Sequence, residues 1–220
     1  MNKTDIFKKL AEYKEILEEK GYKVIYIGLY GSQNYNVDDE LSDIDAKAII
    51  LPTLHDIIFR KVTSKTIELE NGAIDVKDLI TYYDVIRKGN FSYVEAIDTE
   101  YSIGDKYIKT LFQQIRPNLK SILGAMHEKR KALTHEYPSK TEEFEKWGFD
   151  PKQLHHIIRL NDLLNTHSDK SYLWYDGLQK DSMIMVKRNK MGFTKEQAII
   201  ISDDVIAQAK QLIPEDYKYE

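Results

Sequence analysis

Two apolar runs constrain this chain more than anything else in it. KVIYIGLY at 23–30 and IDAKAIIL at 44–51 are rich in β-branched and aromatic residues, and both read as buried strands. The first ends abruptly at Gly31-Ser32, and Pro52 closes the second. The stretch between them, QNYNVDDELSD at 33–43, is polar and turn-rich. A further pair of short strands, 65–70 and 73–77, flanks Asn71-Gly72, a strong two-residue hairpin signal.

Helical spacing surrounds these strands. Ile6, Phe7, Leu10, Tyr13, Ile16 and Leu17 share a face over residues 4–20, with Thr4 or Asp5 placed to cap the helix and Gly21 to stop it. A short helix fits 54–59. Another runs from an Asp78 cap to about Lys88, before Gly89-Asn90. From about residue 106 the periodicity is helical throughout, over 106–116, 119–134, 152–166, 178–190 and 195–212. Thr194 and Gln197 form a capping box for the last of these. The first half is therefore mixed α/β and the second helical, with a boundary expected near 104 and the halves packed together.

Composition narrows the class. With 220 residues, 42% hydrophobic and 31% charged, the chain can build one large or two small domains around a sizeable core. A net charge of −4 does not suit a non-specific nucleic-acid coat, although it leaves room for a local basic site. The absence of cysteine excludes disulfides, thiolate metal sites and a cysteine nucleophile. No apolar run approaches the roughly 18 residues of a membrane span. The N-terminal MNKTDIFKKLAEYKEILEEK is charged throughout, unlike a signal peptide. A cytoplasmic protein without membrane contact is expected.

The chemistry concentrates at Gly31-Ser32, followed after ten residues by Asp43-Ile44-Asp45. Alternate residues on a strand share a face, so Asp43 and Asp45 point one way and Ile44 into the core. Two adjacent carboxylates repel unless a cation lies between them, and hard oxygen ligands suit Mg²⁺. A glycine at the strand end lets backbone approach a ligand, and the Ser32 hydroxyl can donate to phosphate. A phosphate cradle beside two aspartates is apparatus for phosphoryl or nucleotidyl transfer. Asp75 lies between apolar Ile74 and Val76, so it faces away from their side of the sheet, and it is the candidate third carboxylate. A turn at Asn71-Gly72 pairs Glu68 with Asp75, making Glu68 a supporting acid or a solvated hairpin charge. Lys47 shares the face of Asp43 and Asp45, where it can neutralise them or touch a triphosphate. Lys77 stands in the same relation to Asp75, more weakly.

The Gly-Ser-x10-Asp-x-Asp pattern on strand, turn and strand resembles the signature of the DNA polymerase beta-like nucleotidyltransferase superfamily. GSQNYNVDDELSDIDAKAI is similar to its predicted-nucleotidyltransferase branch, the RNA-repair-associated polymerase-beta family. The likeness extends over most of the chain, through IDVKDLITYYDVIRKGNFSYVEAI, HHIIRLNDLL and MVKRNKMGFTKEQAI, and is weakest in the middle. One departure is Ala48, where many members carry glycine. The resemblance implies an α+β fold: a mixed sheet with flanking helices over residues 1–104, then a helical domain over 105–220 that closes the nucleotide and acceptor cleft. It implies two Mg²⁺ ions, with Mn²⁺ as the alternative, held by Asp43, Asp45 and Asp75. Gly31, Ser32, Lys47, His156 and Arg159 would bind a nucleoside triphosphate, ATP included. Asp75 would hold the second ion and orient the attacking hydroxyl.

His156 and Arg159 are one helical turn apart, and His155 also neighbours Arg159. A zinc site at His155-His156 does not fit, because adjacent helical residues point apart. Residues 106–135 carry Lys106, Lys109, Arg116, Lys120, Lys129, Arg130 and Lys131 against Glu128, a run that can track a phosphate backbone. The expected activity is transfer of a nucleoside monophosphate to an acceptor hydroxyl with release of pyrophosphate. An RNA 3′ end is the favoured acceptor, a protein side chain the alternative and a small molecule the third choice. A nucleotide-binding regulatory module without turnover is the competing class, and the three intact aspartates argue against it.

Overall fold

β1 (Val24–Tyr30) and β2 (Asp45–Ile50) form where the apolar runs lie, and they pair antiparallel at the centre of a five-stranded sheet. This is a computed structural model, and it describes residues 3–40, 42–115, 118–167 and 173–218. The chain divides into two compact units, Met1–Pro117 and Asn118–Glu220.

In the first unit, α1 (Lys3–Glu19) precedes β1 and buries Ile6, Leu10, Tyr13 and Leu17 on one face. It already includes Thr4 and Asp5, so neither caps it; Asp5 instead places a negative charge in the first turn, where the helix dipole favours it. A single 3-10 turn, Ser32–Tyr35, follows β1. After β2 come α2 (Leu54–Ile58), β3 (Ser64–Leu69) and β4 (Gly72–Asp78). Next are α3 (Leu79–Arg87), α4 (Phe91–Asp98), β5 (Ser102–Gly104) and α5 (Lys106–Gln113). The Asp78 side chain caps α3 by accepting from Thr81 N. The sheet order is β3-β4-β2-β1-β5, with β2 and β4 parallel and the other pairs antiparallel.

Apolar strands of this kind need cover on both faces, and both faces have it. Ile27, Leu29, Ala46, Ala48, Ile74 and Val76 pack with α1. On the other face Tyr26 and Ile49 pack with Tyr82 and Ile86 of α3, Tyr93 and Ile97 of α4, and Phe112 of α5. The first unit therefore runs past residue 104, because α5 packs on α4 and β1. Gly28 brings α4 onto the sheet. A Cβ at Gly28 would lie 2.1 Å from Ala96 O, so only glycine admits the helix at this distance.

The hairpin differs from expectation by one position. Leu69 pairs with Gly72, which puts Glu70-Asn71 in the turn. Gly72 is held in the strand against Ile44, where a Cβ would meet Ile44 O at 1.9 Å. Thr66, not Glu68, consequently faces Asp75, and Glu68 faces Ala73. β5, α4 and a later helix at Thr141–Trp147 are additional elements: three residues are too few to show alternation, and two short helices leave little periodicity to read.

The second unit comprises α6 (Leu119–Thr134), a 3-10 turn at Pro138–Lys140, α7 (Thr141–Trp147), α8 (Pro151–His167), α9 (Gly177–Lys187) and α10 (Lys195–Gln211). α8 packs against α6, α9 and α10. Leu133, Phe149, Leu154, Val186 and Ala198 form a core cluster. The Thr194–Gln197 capping box is made in both directions. Among the described residues the second unit has no strand, and no helix is long and apolar enough to cross a membrane. The architecture is the expected mixed sheet with flanking helices followed by helices alone.

Candidate functional site

Gly31 and Asp45 are neighbours where β1 ends and β2 begins, because Tyr30 pairs with Asp45. Gly31 has φ 92°, a left-handed conformation that side chains rarely adopt. A Cβ there would lie 3.5 Å from Asp45 Oδ2. The other Asp45 oxygen accepts from Ala73 N at 3.1 Å, which ties the start of β2 to β4. Between the two aspartates Ile44 is buried, and its backbone is held from both sides. Ile44 N donates to Asn71 O at 3.2 Å, and the Tyr13 hydroxyl donates to Ile44 O at 3.0 Å. Burial pushes the Tyr13 hydroxyl up to about 12, and the charges of Asp45, Glu12 and Asp43 add to the shift. Both carboxylates therefore act on one hydroxyl. Asp43 is exposed just outside the strand.

Asp75 stands in the next strand on the same sheet face. The parallel register sets it opposite Lys47, two positions from Asp45. Lys47 Nζ donates to Asp75 Oδ2 at 3.1 Å, and Lys77 Nζ lies 3.7 Å from Oδ1. The Tyr93 hydroxyl, from α4, also donates to Asp75 Oδ2. Lys47 is only 6% exposed, with its ammonium 3.9 Å from the Tyr93 ring centroid and 4.6 Å from that of Tyr30. Burial pulls the Lys47 ammonium below the usual lysine range, and the charge of Asp75 opposes that. The Tyr93 hydroxyl is pushed up, by burial first and then by its hydrogen bond to Asp75. Lys77 donates to Ser64 Oγ at 2.6 Å.

Tyr30 and Tyr93 are additions to the site, since their spacing fits ordinary strand and helix packing. Nothing local marks them. Tyr30 is one register step along the face from Lys47, through its pairing with Asp45, and Tyr93 arrives only because α4 descends on Gly28.

The donor set can be tested against a divalent ion. Asp43 and Asp45 offer hard oxygens on either side of a pinned Ile44. Mg²⁺ typically takes one or two carboxylates and completes its shell with water and substrate phosphate. Two carboxylates are the donor number such an ion needs from protein. Among the described residues no three His, Cys, Asp or Glu side chains gather closely enough to hold a metal by themselves.

In the second unit, Lys152, His156 and Arg159 form a stripe along α8, and Lys129 of α6 approaches it. Arg159 is 3% exposed. Burial pulls the Lys129 ammonium down, and the charges of Arg159 and Lys152 add to the effect. His156 is lowered by burial and then by Arg159. His155 lies in the core side of α8, 3% exposed, and its Nδ1 donates to Met183 O at 3.2 Å.

The basic run 106–135 is divided between the two units. Lys109 Nζ donates to Thr99 O at 2.6 Å, and Lys120 Nζ to Tyr217 O at 2.9 Å. Arg130 forks onto Asp203 at 2.7 and 3.2 Å, and Lys131 pairs with Glu128 at 2.8 Å. Arg116 lies outside the described residues. Charge that is in excess along the sequence is thus partly matched by Asp203 of α10.

No family model matches the chain, and no curated protein does. Among solved structures, one similar chain is a nucleotidyltransferase-like protein from Exiguobacterium sibiricum. It is 14% identical, the match covers 87% of this chain and 68% of that one, and the TM-score is 0.30.

Proposed function

We propose that the first unit transfers a nucleoside monophosphate from a nucleoside triphosphate to an acceptor hydroxyl. The new bond joins the acceptor oxygen to the α-phosphorus as the α–β bridging bond breaks and pyrophosphate leaves. The observation that carries this reading is the placement of the left-handed Gly31 turn next to Asp45, which Asp43 precedes by two residues. Gly31 keeps the turn free of side-chain bulk, so that backbone can reach phosphate, and Ser32 adds a hydroxyl donor. Asp43 and Asp45 are the residues that would hold a divalent ion. Such an ion would neutralise phosphate charge and stabilise the leaving pyrophosphate. Lys47 contributes positive potential from beneath the carboxylates. The α8 stripe of Lys152, His156 and Arg159, with Lys129, is the second unit's candidate for attracting phosphate groups.

An RNA 3′ end is the acceptor class to test first, then a protein side chain and a small molecule. Incubation with α-labelled nucleoside triphosphates, Mg²⁺ and total lysate shows which fraction takes the label. Asp43→Asn and Asp45→Asn should each abolish labelling while the circular dichroism spectrum stays that of the parent. Labelling that survives both substitutions would exclude this site. A nucleotide-binding module without turnover is the second reading, favoured by the engagement of Asp75 with two lysines and a tyrosine. Triphosphate binding without pyrophosphate release from any acceptor source would select it.

A further inference from the structure

The Asp75 carboxylate has an ammonium beside each oxygen, and its hydrogen bonds are made through Oδ2. Oδ2 accepts from Lys47 Nζ at 3.1 Å and from the Tyr93 hydroxyl, and Oδ1 faces Lys77 Nζ at 3.7 Å. Lys47 is not a loose surface cation. It is buried, it lies over the rings of Tyr30 and Tyr93, and its position on β2 is directly opposite Asp75 and two residues from Asp45. Lys77 is tied to Ser64 Oγ at 2.6 Å. The ammonium of Lys47 thus lies against Asp75, and Lys47 shares its strand face with Asp45, two residues before it.

We propose that this site takes one divalent ion rather than two, with the Lys47 ammonium standing in for the second and Asp75 acting as its counter-ion. This rests on the reading of Asp43 and Asp45 as ligands of the ion. Three carboxylates and two lysines leave one net negative charge, which a single divalent ion already overcompensates. A second ion on Oδ2 would have to displace Lys47 or the Tyr93 hydroxyl, and one on Oδ1 would meet the Lys77 ammonium, 3.7 Å from that oxygen. Displacing Lys47 would leave a buried ammonium unpaired beside a dication, and breaking one side of a buried pair is strongly unfavourable. The tyrosine rings compensate an ammonium only in part, because ring faces attract a cation more weakly than a carboxylate does. Asp75 is therefore a positioning residue: it holds Lys47, and Lys47 supplies fixed positive charge next to the ion.

The test counts Mn²⁺ bound to the full chain without nucleotide, by the loss of the free-ion electron paramagnetic resonance signal. One ion per chain is expected. Lys47→Met keeps an unbranched chain between the two rings, removes the competing charge and should raise the count to two. Asp75→Asn should leave the count at one, and Asp43→Asn should reduce it to none. Two ions on the parent chain, or loss of the bound ion in Asp75→Asn, would overturn the proposal while leaving the metal-dependent transferase reading intact. No ion on the parent chain would overturn both. If Lys47→Met does not fold, the Asp75→Asn count decides alone.

Discussion

At Gly31 a single dihedral angle couples backbone to chemistry. Its φ of 92° is one that β-branched residues avoid, so a side chain there strains the turn even though a Cβ would meet Asp45 only at ordinary contact distance. Gly31→Val should therefore lose most triphosphate binding. Ser32→Ala removes one hydroxyl donor and leaves the amides, so its expected cost is about 1.5–3 kcal/mol, roughly ten- to a hundredfold in affinity. Titration of nucleoside triphosphate with Mg²⁺ ranks the two variants. A folded Gly31→Val that binds like the parent would remove the phosphate cradle from this turn. Gly31, Ser32, Asp43 and Asp45 stand out as candidates because their pattern is local: a strand end, a turn and two carboxylates flanking one apolar residue. The partners of Asp75 were not, since Lys47 is 28 residues away and Tyr93 is 18.

Two elements carry predictions of their own. α4 lies on β1 over Gly28, and Gly28→Ala forces a methyl group into Ala96 O. Overpacking of this kind costs about 1–3 kcal/mol, and the helix must shift to relieve it. Denaturant unfolding should show the loss, and the altered Tyr93 environment should show in near-ultraviolet circular dichroism. An unchanged midpoint would mean that α4 does not sit this close. On α8, burial lowers His155 to about 3, with the nearby Arg159 charge adding to it. The unfolded chain takes up that proton near the ordinary histidine pKa of about 6.5, and the folded chain does so only near 3. Stability is therefore fully present above pH 6.5 and falls as the pH drops from 6.5 toward 3, by up to about 1.4 kcal/mol per pH unit from this histidine. His156 adds in the same direction. Unfolding free energies at pH 7 and pH 5 should differ in that sense, and His155→Gln should make the dependence shallower. A pH-independent parent would refute it.

Across the whole molecule, the core of each unit is built without the site carboxylates. The α1 side of the sheet and the cluster around Leu133, Phe149 and Leu154 are packed from apolar side chains. A chelator should therefore stop transfer while leaving the far-ultraviolet spectrum unchanged, and unfolding on chelation would make the ion structural. Local pattern was enough to place the longer strands and helices. The apolar runs of β1 and β2, the Asp78 cap and the Thr194–Gln197 box are contacts among neighbours, so they survive in any reading of the chain. It also determined the Gly-Ser turn and the paired aspartates, for the same reason. Which residues met depended on packing between distant segments. Gly72 packed against Ile44 moved the hairpin by one position and exchanged Glu68 for Thr66 opposite Asp75. The parallel β2–β4 register then set Lys47 across from Asp75, and α4 delivered Tyr93 to the same oxygen. Register and helix docking depend on close packing between distant segments, where a single Cβ or a one-residue slip changes every partner.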